Sequence, residues 1–445
     1  MIGKLEIPLV DKKIAEKFDP YLVGGSVRDY LLGREFNDFD ITVSDLDGFL
    51  RCIKKKNPKI IVFPLSEEDR EYRCVIGEGL WLDVSAIKGK EIFEDLSLRD
   101  FTFNSIALKV VTGEVLDPHG GVEDISRGLI RAISSRNLIA DPLRILRAYR
   151  FHALLQFSIE EVTRSFLREF APLVSTRIVA GERVRYELFL ILNSDKASKT
   201  LNLMAEDGVL FSIFPELRAL KFTSQRYYNE QNLLFHTLDA VAKIEEILRG
   251  RDYEPDVASI VKLALLLHDI GKPSTISFDE EGNTHFYGHD RVGSEMVDNI
   301  SERLRLSRKE RSILKKLVRH HMYPHLLAAQ RVLTDKAVNR YLRRMEEFAF
   351  PLLDMALADA LASPPRGEGI LPYDDFSRRI LKILEEKKKL GPGRILTGDD
   401  LIALGLKPGP LFKHILAEID DLVAEGKVKT REDALEYVKS NYISQ

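Results

Sequence analysis

The hydrophobic residues of this chain change rhythm along its length, and the changes divide it. Through residues 1–133 they come in short runs: ITV at 41–43, IIVF at 60–63, LWLDVSAI at 80–87 and IALKVV at 106–111. Runs of that length, bounded by Gly24-Gly25, Gly77, Gly79 and Gly120-Gly121, predict strands joined by turns. Beyond Asp141-Pro142 the rhythm becomes helical. In LRILRAYRFHALL (143–155) apolar residues recur three and four apart, and strand-like runs vanish across 142–220. A second helical block covers 222–365. The stretch SPPRGEGILPY (363–373) predicts a linker, because proline and glycine punctuate it. Charged helices follow, broken at LGPGR (390–394) and LKPGP (406–410). The expected fold class is α+β. A mixed α/β head of one small sheet with helices (1–133) precedes three helical segments, at 134–221, 222–365 and 366–445.

Composition narrows the function classes. The 445 residues are 44% hydrophobic, enough for packed cores and too much for a mainly disordered chain. No apolar run reaches the ~18 residues of a membrane span, and the start, MIGKLEIPLVDKK, lacks a basic-then-apolar leader. Cys52 and Cys74 are the only cysteines, so neither a disulfide framework nor a cysteine zinc site is expected. A soluble, cytoplasmic location without membrane contact follows as the expectation. With 66 basic against 69 acidic residues the net charge is -3, so any nucleic-acid surface requires basic groups gathered on one face.

The densest chemistry lies in LVGGSVRDYLLGREFNDFDITVS (22–44). A strand ends at Gly24-Gly25, where the lack of side chains lets backbone N–H groups approach a bulky anion. Arg28, one helical turn on, is placed to grip a phosphate with its fork of donors. Asp38 and Asp40 stand two apart on a strand, so both carboxylates face one side. Hard oxygen ligands on a rigid edge suit Mg²⁺ at a triphosphate. Asp83, on the later LWLDVS strand, supplies a candidate third carboxylate.

In this order, GG, VRD, LLGR and DFD resemble the nucleotidyltransferase superfamily, in particular class II tRNA nucleotidyltransferases (CCA-adding enzymes) and bacterial poly(A) polymerases. LRDFTFNSIAL (98–108), DPHGGVEDI (117–125), DPLRILRAYRFHA (141–153) and ERVRYEL (182–188) resemble further segments of that family. The resemblance implies nucleotide-binding roles for Arg99, Asp100 and Asn104. Three positions depart from the family pattern. Leu98 stands where an arginine is usual, Ala140 stands where a glutamate precedes DPLR, and the segment between Asp83 and Arg99 is short. In this family a missing loop there accompanies enzymes that add only CC.

Asp141 and Arg144 carry a hydrogen-bond argument of their own. As a purely structural pair they are an N-cap before Pro142 and an ordinary helix residue. As a functional pair, positions i and i+3 offer an acceptor beside a donor fork. Cytosine and adenine present an amino donor beside a ring-nitrogen acceptor, which complements that pair. Guanine and uracil present the reverse, and each mispaired buried group costs about 1–3 kcal/mol. The family resemblance assigns this base selection to the matching positions. Arg147, one turn on, is a candidate for the sugar or triphosphate.

KLALLLHDIGKPST (262–275) places His268-Asp269 at the end of an apolar helix. It resembles the HD phosphohydrolase superfamily, whose ligand order His, His-Asp, Asp is matched by His236, His268, Asp269 and Asp359. His289, His320 and His321 occupy places comparable to the extra ligands of bimetallic members. Imidazole with carboxylate suits Mn, Co, Ni, Fe or Zn, and the resemblance implies hydrolysis of 2′,3′-cyclic phosphates. The segment 395–419 resembles the family's tail; Lys407 and Lys413 within it, and Lys387, Lys388 and Lys389 before it, are candidates for tRNA phosphates.

The resemblance thus implies template-independent addition of C and A to tRNA 3′ ends from CTP and ATP. It divides the chain into head (1–133), neck (134–221), HD domain (222–365) and tRNA-binding tail (366–445). The alternatives are CC-only addition, poly(A) synthesis, an HD phosphohydrolase whose N-terminal half merely docks RNA, and a non-catalytic RNA-binding module.

Overall fold

The computed structural model describes residues 7–66, 70–223, 232–363, 371–389, 395–424 and 426–443. It forms two compact units, Met1–Ile213 and Phe214–Gln445.

A seven-stranded sheet organises the first unit. Its strands are β1 (Tyr21–Val23), β2 (Asp38–Val43), β3 (Ile61–Ser66), β4 (Glu71–Gly77), β5 (Leu80–Ala86), β6 (Ala107–Lys109) and β7 (Val115–Leu116). They lie in the order β3-β4-β5-β2-β1-β6-β7, with β2 and β5 parallel and the other neighbours antiparallel.

Side-chain alternation makes the two faces of this sheet chemically opposite. Phe39 of β2 opposes Leu82 of β5, which opposes Cys74 of β4. With Ile41, Val43 and Val84 they are buried in one apolar core beside Phe49 and Ile53. The last two belong to the helix Leu46–Lys56. The intervening residues point the other way. Asp38, Trp81, Val75 and Ile61 form one row across β2, β5, β4 and β3, and Asp40, Asp83, Arg73 and Phe63 form the next. Each fully buried large aliphatic side chain is worth about 1.5–3 kcal/mol, so the core face fixes the register and thereby aims the carboxylates.

Two sequence expectations need correction here. β4 (EYRCVIG) is a strand that no apolar run announced, because Glu71, Arg73 and Val75 belong to its polar face. The stretch after residue 133 is not purely helical either. Leu129–Ile130 pairs in parallel with Ser158–Ile159, a ladder too short to leave an apolar run.

The helices that carry the site are α1 (Gly24–Leu31), α2 (Ile92–Ser97), α3 (Ser135–Ala140) and α4 (Leu143–Leu155). Helix α1 opens directly where β1 stops, and no side chain caps its first N–H groups. Asp141 stands just outside α4 in extended conformation, and its Oδ1 accepts from the Leu143 N–H at 3.3 Å.

Among its described residues the second unit is helical apart from a hairpin pairing Ser277–Phe278 with Thr284–His285. Pro255 starts the helix Pro255–Leu267, whose last five residues are fully buried. The capping box of Ser307 and Glu310 opens Arg308–His320. A separate small core of Leu396, Leu401, Ile415, Ile419 and Val438 holds the C-terminal helices together. Residues 364–370 of the expected linker and the break at 390–394 lie outside the described residues. Among the described residues no helix is long and apolar enough to cross a membrane.

Candidate active sites

A cavity of about 830 Å³ in the first unit collects nearly every candidate residue of the head and neck segments. Gly24, Gly25 and Arg28 line it from α1, and Asp40 and Asp83 from the sheet. Arg99, Asp100 and Asn104 line it from the turn after α2, and Asp141, Arg144 and Arg147 from the start of α4. Asp38 is exposed, two residues from Asp40 on the same face of β2.

Gly24 adopts φ +63°, and a Cβ there would lie 3.1 Å from Arg99 Nη1 and 3.3 Å from Asp40 Oδ2. Glycine is thus required both by the left-handed backbone and by the close approach. Arg28 is steadied by a two-pronged contact to Asp29, at 3.0 and 2.7 Å, and by the Asn104 side-chain oxygen at 3.1 Å. Asn104 in turn donates to Asp100 at 2.9 Å, and Arg147 pairs with Asp100 at 2.8 Å. Arg99 is held by Asp95 of α2 at 2.9 and 3.1 Å. The guanidinium groups of Arg28, Arg147 and Arg150 all lie within 5.8 Å of the Phe151 ring. A chain of net charge -3 therefore concentrates cations on one wall, as a polyanionic ligand requires.

The carboxylates show the opposite imbalance. Burial raises the Asp40 pKa to about 6; Asp83 adds to the rise and Arg99 opposes it. Burial also raises Asp38, with Arg73 opposing. Burial works to raise Asp100, but Arg147 and the Asn104 amide outweigh it and leave its pKa lowered. Asp83 sits in a two-pronged pair with Arg73, at 2.8 and 2.7 Å. Two aspartates whose charge the fold disfavours, side by side on one strand face, make a site that gains from a hard cation.

Asp141 and Arg144 both line the cavity, though not from a shared helix face, since Asp141 precedes the helix. Arg183 donates to Asp141 at 3.0 Å, and Arg144 donates to the carbonyls of Leu98 and Asn137 at 2.8 and 3.3 Å. Arg73, Asp29, Asp95 and Arg150 escaped the sequence reading. Arg73 reaches Asp83 across two strands, Asp95 holds Arg99 from one turn earlier, Asp29 holds the adjacent Arg28, and Arg150 pairs with Glu187; contacts of this kind are not recorded in the motifs themselves.

In the second unit, six ionisable residues with metal-ligand chemistry converge as two triads. His236, His268 and Asp359 form one, and Asp269, His289 and His321 the other. Asp269 faces both: its Oδ2 is 3.2 Å from His268 Nε2, and its Oδ1 is 3.6 and 3.9 Å from His289 and His321 Nε2. Three rings are aimed by one device. The Nδ1–H of His268, His289 and His321 donates to the carbonyl three residues earlier, at 2.6, 2.7 and 2.8 Å. That fixes the tautomer and turns each Nε2 lone pair inward. The Nε2 atoms of His289 and His321 face each other at 3.0 Å, and Asp269 Oδ2 lies 2.6 Å from the Lys272 ammonium while its Oδ1 is buried without a hydrogen-bond partner. Burial pushes His289 and His321 below the ordinary imidazole range. At His268 burial is overcome by Asp269 and Asp359, which push it up to about 10. Converging imidazole nitrogens around two carboxylates make two donor sets that fit divalent cations.

His320 does not join this cluster. It neighbours His321 on a helix end, where successive side chains point about 100° apart, and only His321 faces inward. Burial, with Arg344 and Arg319 nearby, drives His320 down to about 4. His325 instead borders the cluster through Asp359, with Nε2 2.9 Å from Asp359 Oδ2 and Nδ1 2.7 Å from the Tyr373 hydroxyl. Its spacing of four from His321 was the available clue.

Comparison with known proteins yields three family models. Residues 20–131 match the poly A polymerase head domain, 156–221 the probable RNA and SrmB-binding site of polymerase A, and 233–363 the HD domain. An A-adding tRNA nucleotidyltransferase of Deinococcus radiodurans is 34% identical over 426 residues, covering 94% of each chain. A CC-adding tRNA nucleotidyltransferase of Geobacter sulfurreducens is 31% identical, covering 96% of this chain and 93% of its own. A solved CCA-adding enzyme with ATP shares the fold, with a TM-score of 0.69 at 22% identity over 96% of this chain and 93% of that one.

Proposed function

This chain belongs to the tRNA nucleotidyltransferase family with a poly(A) polymerase-type head, and from that premise we propose that it builds the CCA end of tRNA from CTP and ATP. The observation that carries the reading is the single cavity that joins the strand-borne carboxylates, the glycine turn, the arginine wall and the Asp141–Arg144 pair. The relatives' names favour tRNA over poly(A) as product, and the intact carboxylates argue against a head that only docks RNA.

The head and HD domains depend on divalent metal. At the head, Asp38 and Asp40 are the residues to hold Mg²⁺, which when bound neutralises triphosphate charge and favours ionisation of the attacking 3′-hydroxyl. The chain's own groups do the rest. The N–H groups of Gly24 and Gly25, at the uncapped start of α1, donate to phosphate oxygens. Arg28, Arg147 and Arg150 balance the charge that passes to the leaving pyrophosphate. Asp100 holds Arg147 in place, and Asp29 holds Arg28. Asp141 accepts from the base amino group and Arg144 donates to the adjacent ring nitrogen. Because protein groups read the base edge, no nucleic-acid template is needed. Lys407 and Lys413 of the tail fit tRNA phosphates.

The test supplies tRNA lacking CCA, or ending in CC, with each labelled nucleotide separately and reads the products on a sequencing gel. Incorporation of C onto the first substrate and of A onto the second is expected. C alone would establish CC-only addition, and incorporation of neither would overturn the reading.

The two histidine triads favour a second activity. His236, His268 and Asp359 are placed to hold one transition metal, and Asp269, His289 and His321 another. Metal bound there would supply hydroxide for phosphoester hydrolysis, with 2′,3′-cyclic phosphate at damaged RNA ends as substrate. Lys272, 2.6 Å from Asp269, steadies that carboxylate. Elemental analysis together with release of monoester from a cyclic-phosphate RNA checks both parts.

A further inference from the structure

The polar face of the sheet does not end at the carboxylates. Beyond Asp38 and Asp40 its two rows continue outward through Trp81 and Val75 to Ile61, and through Asp83 and Arg73 to Phe63. The far end is apolar and open: Ile61 is 63% exposed and Phe63 41%. Arg73 lies over the Trp81 ring, 4.9 Å from its centroid, while its charge is committed to Asp83. Ile61 and Phe63 lie outside the apolar core, which is on the opposite face of the sheet, and side by side on neighbouring rows they make an exposed apolar edge.

In-line displacement says what belongs there. The attacking and leaving oxygens stand on opposite sides of the transferred phosphorus. The leaving pyrophosphate belongs to Gly24, Gly25 and Arg28, which follow β1 on one flank of β2. The other flank of β2 is β5, then β4, then β3. The acceptor 3′-hydroxyl must therefore arrive from the β5 side, which lays the last nucleotides of the RNA across Trp81, Arg73 and Phe63.

Resting on the function proposed above, we propose that Trp81, Arg73 and Phe63, edged by Ile61, form a stacking platform for the 3′-terminal bases of the acceptor RNA. Aromatic rings and a guanidinium plane accept any base by its flat face. This matches an acceptor whose terminal base changes with every addition. Trp81 and Phe63 are positioning residues: they hold the primer and touch neither metal nor incoming nucleotide.

Trp81 is the chain's single tryptophan, so its emission reports the platform directly. Titration with tRNA lacking CCA is expected to shift or quench that emission saturably, whereas CTP alone leaves it unmoved. Phe63→Ala, at an exposed site, is expected to raise the KM for tRNA at least tenfold with the KM for CTP changed less than twofold. Trp81→Phe should retain primer affinity that Trp81→Ala loses, with melting curves confirming that both fold. Unmoved emission together with a tRNA KM within twofold of the parent in Phe63→Ala would overturn the platform. So would a Phe63→Ala variant that changes only sedimentation, from dimer to monomer, since the strip would then be a protein interface. A parent protein that adds no nucleotide refutes the proposed function instead, and the two failures are distinguishable on one preparation.

Discussion

Asp40 carries a charge that its surroundings oppose, and this gives the head a testable pH dependence. Its folded pKa of about 6 lies above the unfolded value of 3.8, so between those values the folded state binds more protons. The stabilisation from protonated Asp40 is complete below pH 3.8 and is lost as pH rises through 6. Metal-free protein is therefore expected to melt lower at pH 7.5 than this residue alone would allow at pH 5. Asp40→Asn should raise the metal-free melting temperature by a few degrees at pH 7.5, and by much less at pH 5. Mg²⁺ should raise it for the parent and not for the variant. Calorimetry in EDTA and in Mg²⁺ at both pH values decides the matter; equal effects at the two pH values would show that Asp40 does not titrate between them, and an equal Mg²⁺ response in parent and variant would remove it from the metal site. The metal-holding role proposed for Asp40 and Asp38 has a kinetic consequence: Asp38→Ala should reduce CTP incorporation by at least a thousandfold while tRNA binding, read by filter retention, stays within a few-fold. The role proposed for Arg144 is base choice. Arg144→Ala should admit GTP or UTP where the parent rejects them, and unchanged selectivity on the labelled-nucleotide gel would leave it a helix residue only.

At the level of elements, two glycines of similar backbone separate folding from function. Gly24 and Gly33 both adopt left-handed φ, +63° and +66°, but an added Cβ at Gly33 meets nothing within 4 Å. Both alanine variants pay about 1–2 kcal/mol for the backbone. Only Gly24→Ala presses on Arg99 and Asp40 as well, so only it should raise the KM for CTP, by tenfold or more. Steady-state kinetics beside thermal melting checks the contrast, and a matching KM change in Gly33→Ala would mean the turn acts through stability. How far these elements were legible in the sequence follows from what each one buries. β2 and β5 announced themselves by buried apolar residues, and the carboxylates came with them. β4 stayed hidden because its polar residues Glu71 and Arg73 serve the other face, and with it went Arg73 as the partner of Asp83. Adjacent His320 and His321 read alike along the chain; only the helix decides that one turns in. Asp141 and Arg144 were found by spacing, but the cavity that unites them is built by α4 and the preceding turn together. No local pattern records that.

On the scale of the whole molecule, every residue of the carboxylate cavity comes from the first unit and every residue of the histidine cluster from the second. The two chemistries should separate. Replacing His268 and Asp269 by alanine is expected to abolish bound transition metal and cyclic-phosphate hydrolysis, while CTP incorporation stays within a few-fold. Parallel loss of both activities, at an unchanged melting temperature, would show that the sites are one. The seam at residues 213 and 214 also sets what genetic exchange can do to this family. A crossover there passes on either site entire and splits neither. A lineage can then lose or replace its imidazole cluster in one event while the strand-borne aspartates descend untouched.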